Sequence, residues 1–124
     1  MKTLLLLILL FLPSCAVAMT DSEAVNIIIG EAANQNFIGM VMVGEVIRHN
    51  PTAKYYGKNA KHIHNETKAI WVQATSAWAE SAYTDYTKGA THFDSSDFKK
   101  PKWARDMIVT TMYGKHTFYK ENYK

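Results

Sequence analysis

The chain has 124 residues, a formal net charge of +3 and a single cysteine, with three Trp, seven Tyr and five Phe. That length gives one small domain with a single core and a marginal buried fraction. The one thiol, Cys15, lies in the N-terminal segment, so disulfide scaffolds and cysteine-nucleophile chemistry are excluded for everything downstream.

Met1-Lys2 supplies a positive start, Leu4 to Leu12 an unbroken apolar run, and Ala16-Val17-Ala18 a small-residue cleavage site. This is the layout of a secretory signal peptide. Residues 1–18 are therefore expected to be removed, and residues 19–124 to form an exported domain in the periplasm, the cell envelope or outside the cell. The apolar run is shorter than the roughly 20 residues that span a bilayer. Leu12-Pro13-Ser14-Cys15 also approaches a lipoprotein signal, and only a lipidated Cys15 would tie the domain to a membrane. The mild positive charge and the many aromatic residues suit an anionic carbohydrate polymer, and suit equally a plain core with a solvated surface.

Thr20 to Ala33 is predicted to be a helix. Thr20 and Glu23 have capping-box spacing, and Val25, Ile28, Ile29 and Ala32 recur at i, i+3, i+4 and i+7. Asn34-Gln35-Asn36 interrupts the pattern. A second helix follows from Phe37 to about His49, closed by Asn50-Pro51. It is apolar nearly all round, so it should be the buried central helix, with Gly39 and Gly44 admitting a close neighbour. Pro51 to Asn65 reads as a polar loop long enough to form one wall of a groove. Glu66 to Ala82 reads as a third helix with Ile70, Ala74, Ala77, Trp78 and Ser81 on one face. Thr84 to Lys102 is irregular around Gly89-Ala90-Thr91-His92-Phe93. Met107 to Met112 and His116 to Tyr119 read as strands joined at Tyr113-Gly114-Lys115. The pattern predicts a small α+β domain: three helices, then short strands and a C-terminal β-hairpin.

Glu31 follows Gly30 in the last turn of the first helix and flanks its apolar stripe. Apolar neighbours and the negative end of the helix both disfavour its ionised form. A carboxyl held protonated near neutral pH is what a glycosidic general acid requires. The plain alternative is a helix-end carboxylate without a role.

Three blocks carry a resemblance. Gly30-Glu31-Ala32-Ala33 followed by Gly39 to Arg48 resembles the opening block of the SleB-like cell-wall hydrolases, the spore-cortex lytic enzyme family. Thr87-Lys88-Gly89-Ala90-Thr91-His92-Phe93 is similar to its Gly-Ala-x-x-Phe segment, and Tyr113 to Tyr119 to its Gly-x-His-x-Phe hairpin. The resemblance implies a lysozyme-like fold that cleaves peptidoglycan glycan strands between N-acetylmuramic acid and N-acetylglucosamine, with Glu31 catalytic. Thr91, His92, Phe93 and Tyr119 are the candidate substrate-binding residues; Tyr119 and Trp71 read equally as core. The expected protein is a monomer that needs no cofactor and takes no nucleic acid. Glu45 departs from the family, which carries a small apolar residue there. It could be a second acid, a buried partner of Arg48 or His49, or a surface residue.

Hydrolysis needs a second carboxylate, about 5–5.5 Å away for retention or about 6.5–9.5 Å for inversion. Glu80, Asp85 and Asp94 are candidates beside Glu45. A lytic transglycosylase needs none, because one glutamate serves as acid and then base, and the family leans that way. Two rivals stand beside this reading. His62-Ile63-His64 has ligand-like spacing, as a metal-dependent amidase or peptidase would require; a non-catalytic glycan-binding module is the other.

Overall fold

The computed structural model describes residues 19–123, so the signal-peptide and Cys15 expectations lie outside the described residues. Among the described residues no helix is long and apolar enough to cross a membrane. Helix α1 spans Asp21–Ala32, α2 Phe37–His49 and α3 Lys68–Glu80. The strands are β1 His92–Ser95, β2 Ile108–Tyr113 and β3 His116–Lys120. This is the predicted α+β architecture.

Side-chain caps set the helix starts. The Thr20 hydroxyl accepts the Glu23 N–H at 3.1 Å, and Asn36 accepts the Gly39 N–H at 3.0 Å. The residues that interrupt the apolar pattern thus include the cap of the next helix. The third helix is shorter than expected, because Thr67 caps it by accepting the Ile70 N–H at 3.3 Å. Gly39 to Ile47 are all buried, which makes α2 the central helix. The end of α3 lies directly on α2: a Cβ on Gly44 would sit 2.8 Å from Ser81 Oγ. Arg48 fastens this junction. Its Nε donates to Ser81 Oγ at 2.8 Å and its guanidinium lies 3.7 Å over the Trp78 ring, whose N–H reaches Asp21 at 2.8 Å.

The sheet has the order β1-β3-β2, antiparallel throughout. Phe93 pairs with Phe118 and His92 with Tyr119, so alternation puts the two phenylalanines on one face and Tyr119 on the other. Met42, Val46, Ala90 and Phe118 form the core between α2 and the sheet, with Phe93 and Tyr55 packed against it. A larger cluster, including Ile27, Ile28, Met40, Val41 and Ala74, fills the space among the helices.

Two segments differ from expectation. The polar loop 51–65 contains two short 3-10 helices, Tyr56–Asn59 and Lys61–Asn65, and the first packs on α1. Glu45 takes none of its three expected roles. It is buried, and its carboxylate accepts the N–H groups of Tyr86 and Thr87 at 3.1 and 2.8 Å together with the Thr84 hydroxyl. It pairs with neither Arg48 nor His49, whose Nδ1 meets the Ala90 carbonyl at 2.7 Å. Glu45 holds the loop that leads from α3 to β1.

Candidate active site

Glu31 is placed by a contact between two glycines. A Cβ on Gly30 would lie 1.8 Å from the Gly57 carbonyl oxygen, and one on Gly57 would lie 2.6 Å from Glu31 Cγ. Only residues without side chains let the Tyr56–Asn59 turn lie this close to α1. The Gly57 N–H then donates to Glu31 Oε1 at 2.8 Å. Burial pushes the Glu31 pKa up and outweighs the opposing pull of that hydrogen bond. Gly30→Ala forces backbone against backbone, and is expected to cost about 1–3 kcal/mol of stability. Denaturant titration measures it, and an unchanged midpoint would contradict the contact.

Two neighbours of Glu31 are held toward their neutral forms by burial. Burial, with Glu31's own charge, raises the Tyr55 pKa far above the usual phenol range, and its hydroxyl donates to the Asn50 carbonyl at 2.7 Å. His116 is 3% exposed; burial lowers its pKa, against Asp94, Asp97 and the Glu31 backbone. Its ring sits 5.1 Å from that of Phe93, edge to face.

Two recesses meet at Glu31. One, of about 490 Å³, is lined by polar groups, including Gln35, His62, Glu66, Asp97 and His116. The other, of about 450 Å³, runs along β1 past Tyr55, Tyr56, His92, Pro101 and Trp103. Glu31, Ser95 and Phe98 line both. Phe98 and Tyr56 are 77% and 90% exposed, so aromatic faces stand free beside the acid. The arrangement suits an extended polymer that passes a partly desolvated proton donor, with flat apolar faces on one side of it.

No family model matches the chain, and no curated protein matches it. Solved structures do. The catalytic domain of the Bacillus cereus SleB protein superposes with a TM-score of 0.58 at 17% identity, over 87% of this chain and 97% of that one. The catalytic domain of the germination-specific lytic transglycosylase SleB from Bacillus anthracis gives 0.56 at 22% identity, over 86% and 100%. The chain has the SleB catalytic-domain fold.

Within this SleB fold, Thr91, His92 and Phe93 line the recess along β1 together with Glu31. Thr91 Oγ1 lies 2.9 Å from His92 Nδ1, and Phe93 stacks on Tyr55 at 6.4 Å. Tyr119 lines neither recess at Glu31. It is 2% exposed, Trp103 covers it edge-on at 5.3 Å, and its hydroxyl donates to Asp94 at 3.0 Å. Trp71 packs against the helical core. Of the carboxylates named as second candidates, Glu45 holds the 84–87 loop, and Asp85 accepts the Gly89 N–H at 2.8 Å. Glu80 is exposed at the end of α3 and lines neither recess. Asp94 alone of the four reaches the groove, bonded to Tyr119. His62 faces the polar recess, its Nδ1 2.9 Å from Glu66; His64 does not line it. Among the described residues no group of three His, Cys, Asp or Glu converges as a metal site would need.

Sequence reasoning missed Gly57, Tyr55, Trp103, His116 and Glu66. The Tyr55-Tyr56-Gly57 run carries a usable signal, a glycine beside bulky residues in the loop expected to form a groove wall, and this loop does line the recess along β1. His116 sat inside a quoted motif without a role. Glu66 was counted as helix, and nothing near it in sequence points to Glu31.

Proposed function

We propose that this chain is an exported peptidoglycan-cleaving enzyme, with residues 1–18 removed as a secretory leader. It acts as a lytic transglycosylase between N-acetylmuramic acid and N-acetylglucosamine. The observation that carries this reading is Glu31: a half-buried carboxyl of raised pKa, fixed by the Gly57 N–H where a polar recess meets an aromatic one. The likeness to a SleB catalytic domain described as a lytic transglycosylase supports the same reading.

The chemistry needs one residue in two protonation states. Glu31 gives its proton to the glycosidic oxygen as the bond to muramic C1 breaks, which releases N-acetylglucosamine with a free 4-hydroxyl. The Glu31 carboxylate then accepts the proton of the muramic 6-hydroxyl as that oxygen bonds to C1. The products are a 1,6-anhydromuramic end and a restored acid, and no water is consumed. Burial holds Tyr55 and His116 toward their neutral forms, so neither places a fixed charge directly beside Glu31.

Digestion of purified sacculi followed by mass spectrometry tests both parts. Anhydro ends, one water lighter than hydrolytic ends, are expected. The rate should decline as pH rises through the raised Glu31 pKa, since only the protonated form can start the reaction. Reducing muramic ends would keep Glu31 as acid but defeat the transglycosylase reading. The search for a base would then turn to Asp94, Glu66 and Asp97, which line the two recesses with it. Failure to release any fragment would defeat the reading outright.

A further inference from the structure

The two recesses that meet at Glu31 differ in how their charges are spent. In the polar one the basic side chains are engaged: His62 lies 2.9 Å from Glu66, and the Lys115 ammonium 3.2 Å from Asp97. In the aromatic one they are not. Lys54 and Lys99 both line it and are both exposed, and among the described residues neither forms an ion pair or a side-chain hydrogen bond. The carboxylates on that side are Glu31, which burial holds toward its neutral form, and Asp94, which accepts from Tyr119.

Exposed aromatic faces such as Tyr56 and Trp103 suffice to hold a neutral sugar by its apolar side. Two unengaged ammonium groups beside them can donate to the hydroxyl or acetamide oxygens of any sugar, but they gain most from a negatively charged acceptor. They complement an anion, and a carboxylate hung on a sugar ring is the anion that fits a groove of this kind.

We infer that Lys54 and Lys99 make the aromatic recess a carboxylate-reading subsite. The chain therefore prefers strands whose sugars bear an acid group to neutral N-acetylglucosamine polymers. This rests on the glycan-cleaving reading and adds a direction to it. The muramic residue, the sugar that bears the acid, lies on the Lys54–Lys99 side of Glu31. The departing N-acetylglucosamine lies on the His62–Glu66 side. The carboxylate has two sources: the free lactyl carboxylate of a bare muramic residue, or, where that group is amide-linked to a peptide stem, the acid groups of the stem.

The test is binding with turnover stopped. The Glu31→Gln protein is titrated at low salt with three strands of equal length: peptide-bearing, stripped to the free lactyl acid, and neutral N-acetylglucosamine oligomer. At least one acidic strand should bind more tightly than the neutral one, and which of them does identifies the source. Lys54→Gln with Lys99→Gln should weaken acidic-strand binding by about 3- to 30-fold, the range for two exposed charge pairs. Neutral-strand binding should stay unchanged, which also shows that the groove is intact. High salt should erase the preference in the parent, because these charges face solvent. Equal affinity for all three strands, or a preference that survives the double substitution, overturns the inference. Cleavage of sacculi alongside charge-blind binding would overturn it alone. No binding to any strand together with no cleavage would overturn the proposed function as well.

Discussion

Glu31→Gln should lower glycan release by about 10²–10⁴-fold, the range for loss of a general acid, while the protein stays folded. Glutamine has the same shape, and its amide oxygen can still accept the Gly57 N–H that now meets Oε1 at 2.8 Å. What it lacks is a transferable proton. Stability separates this from simple damage. Burial raises the Glu31 pKa above the usual carboxyl value, so the folded state holds this proton more tightly than the unfolded state. Wild-type stability is then fully present below that value and declines as pH rises through the folded pKa. The neutral amide escapes this loss. The variant should therefore melt at or above the wild-type temperature at neutral pH, with its advantage shrinking toward acid pH. A variant that retains full activity would remove Glu31 from the chemistry. One that unfolds would mean the carboxylate has a structural role.

The second large effect is expected at Glu45, far from the groove surface in kind if not in sequence. Glu45→Ala would strip acceptors from the Tyr86 and Thr87 N–H groups and the Thr84 hydroxyl in a site where Glu45 is 1% exposed. Each buried donor left unmatched costs about 1–3 kcal/mol, so the whole is expected to cost about 3–5 kcal/mol. Glu45→Gln keeps the volume but turns one acceptor into a donor that faces N–H groups, and should cost roughly half as much. Chemical denaturation of the three proteins gives the ranking. If Glu45→Ala were as stable as the parent and Glu45→Gln no worse, the 84–87 loop would have another anchor.

The helices were legible because their signals are local. Thr20 and Asn36 sit at the caps, apolar residues recur at helical spacing, and Asn50-Pro51 stops α2 where expected. The terminal hairpin was legible for the same reason, through β-branched residues on either side of a glycine turn. Glu31 was legible as a candidate through its place beside an apolar helix stripe together with the Gly30-Glu31-Ala32-Ala33 block that resembles the SleB-like hydrolases. Its setting was not. The Gly57 N–H comes from 26 positions further along the chain, and its turn spans only Tyr56–Asn59, too short to imprint a period. Glu45 shows the same limit from the other side. Its partners lie about 40 residues away, and no spacing rule reaches a loop closed by backbone N–H groups.

The order of the sheet has a consequence for when the groove can exist. β3, at residues 116–120, is the middle strand, and both neighbours hang on it. A chain that emerges from its N-terminus can bring α1, α2 and α3 together through contacts close in sequence, which form early. β1, with His92 and Phe93, has no strand to pair with until the final residues arrive. Glu31 is thus placed early, and the β1 wall of the groove beside it last. A polypeptide halted anywhere before His116 would carry Glu31 with one side of the groove missing.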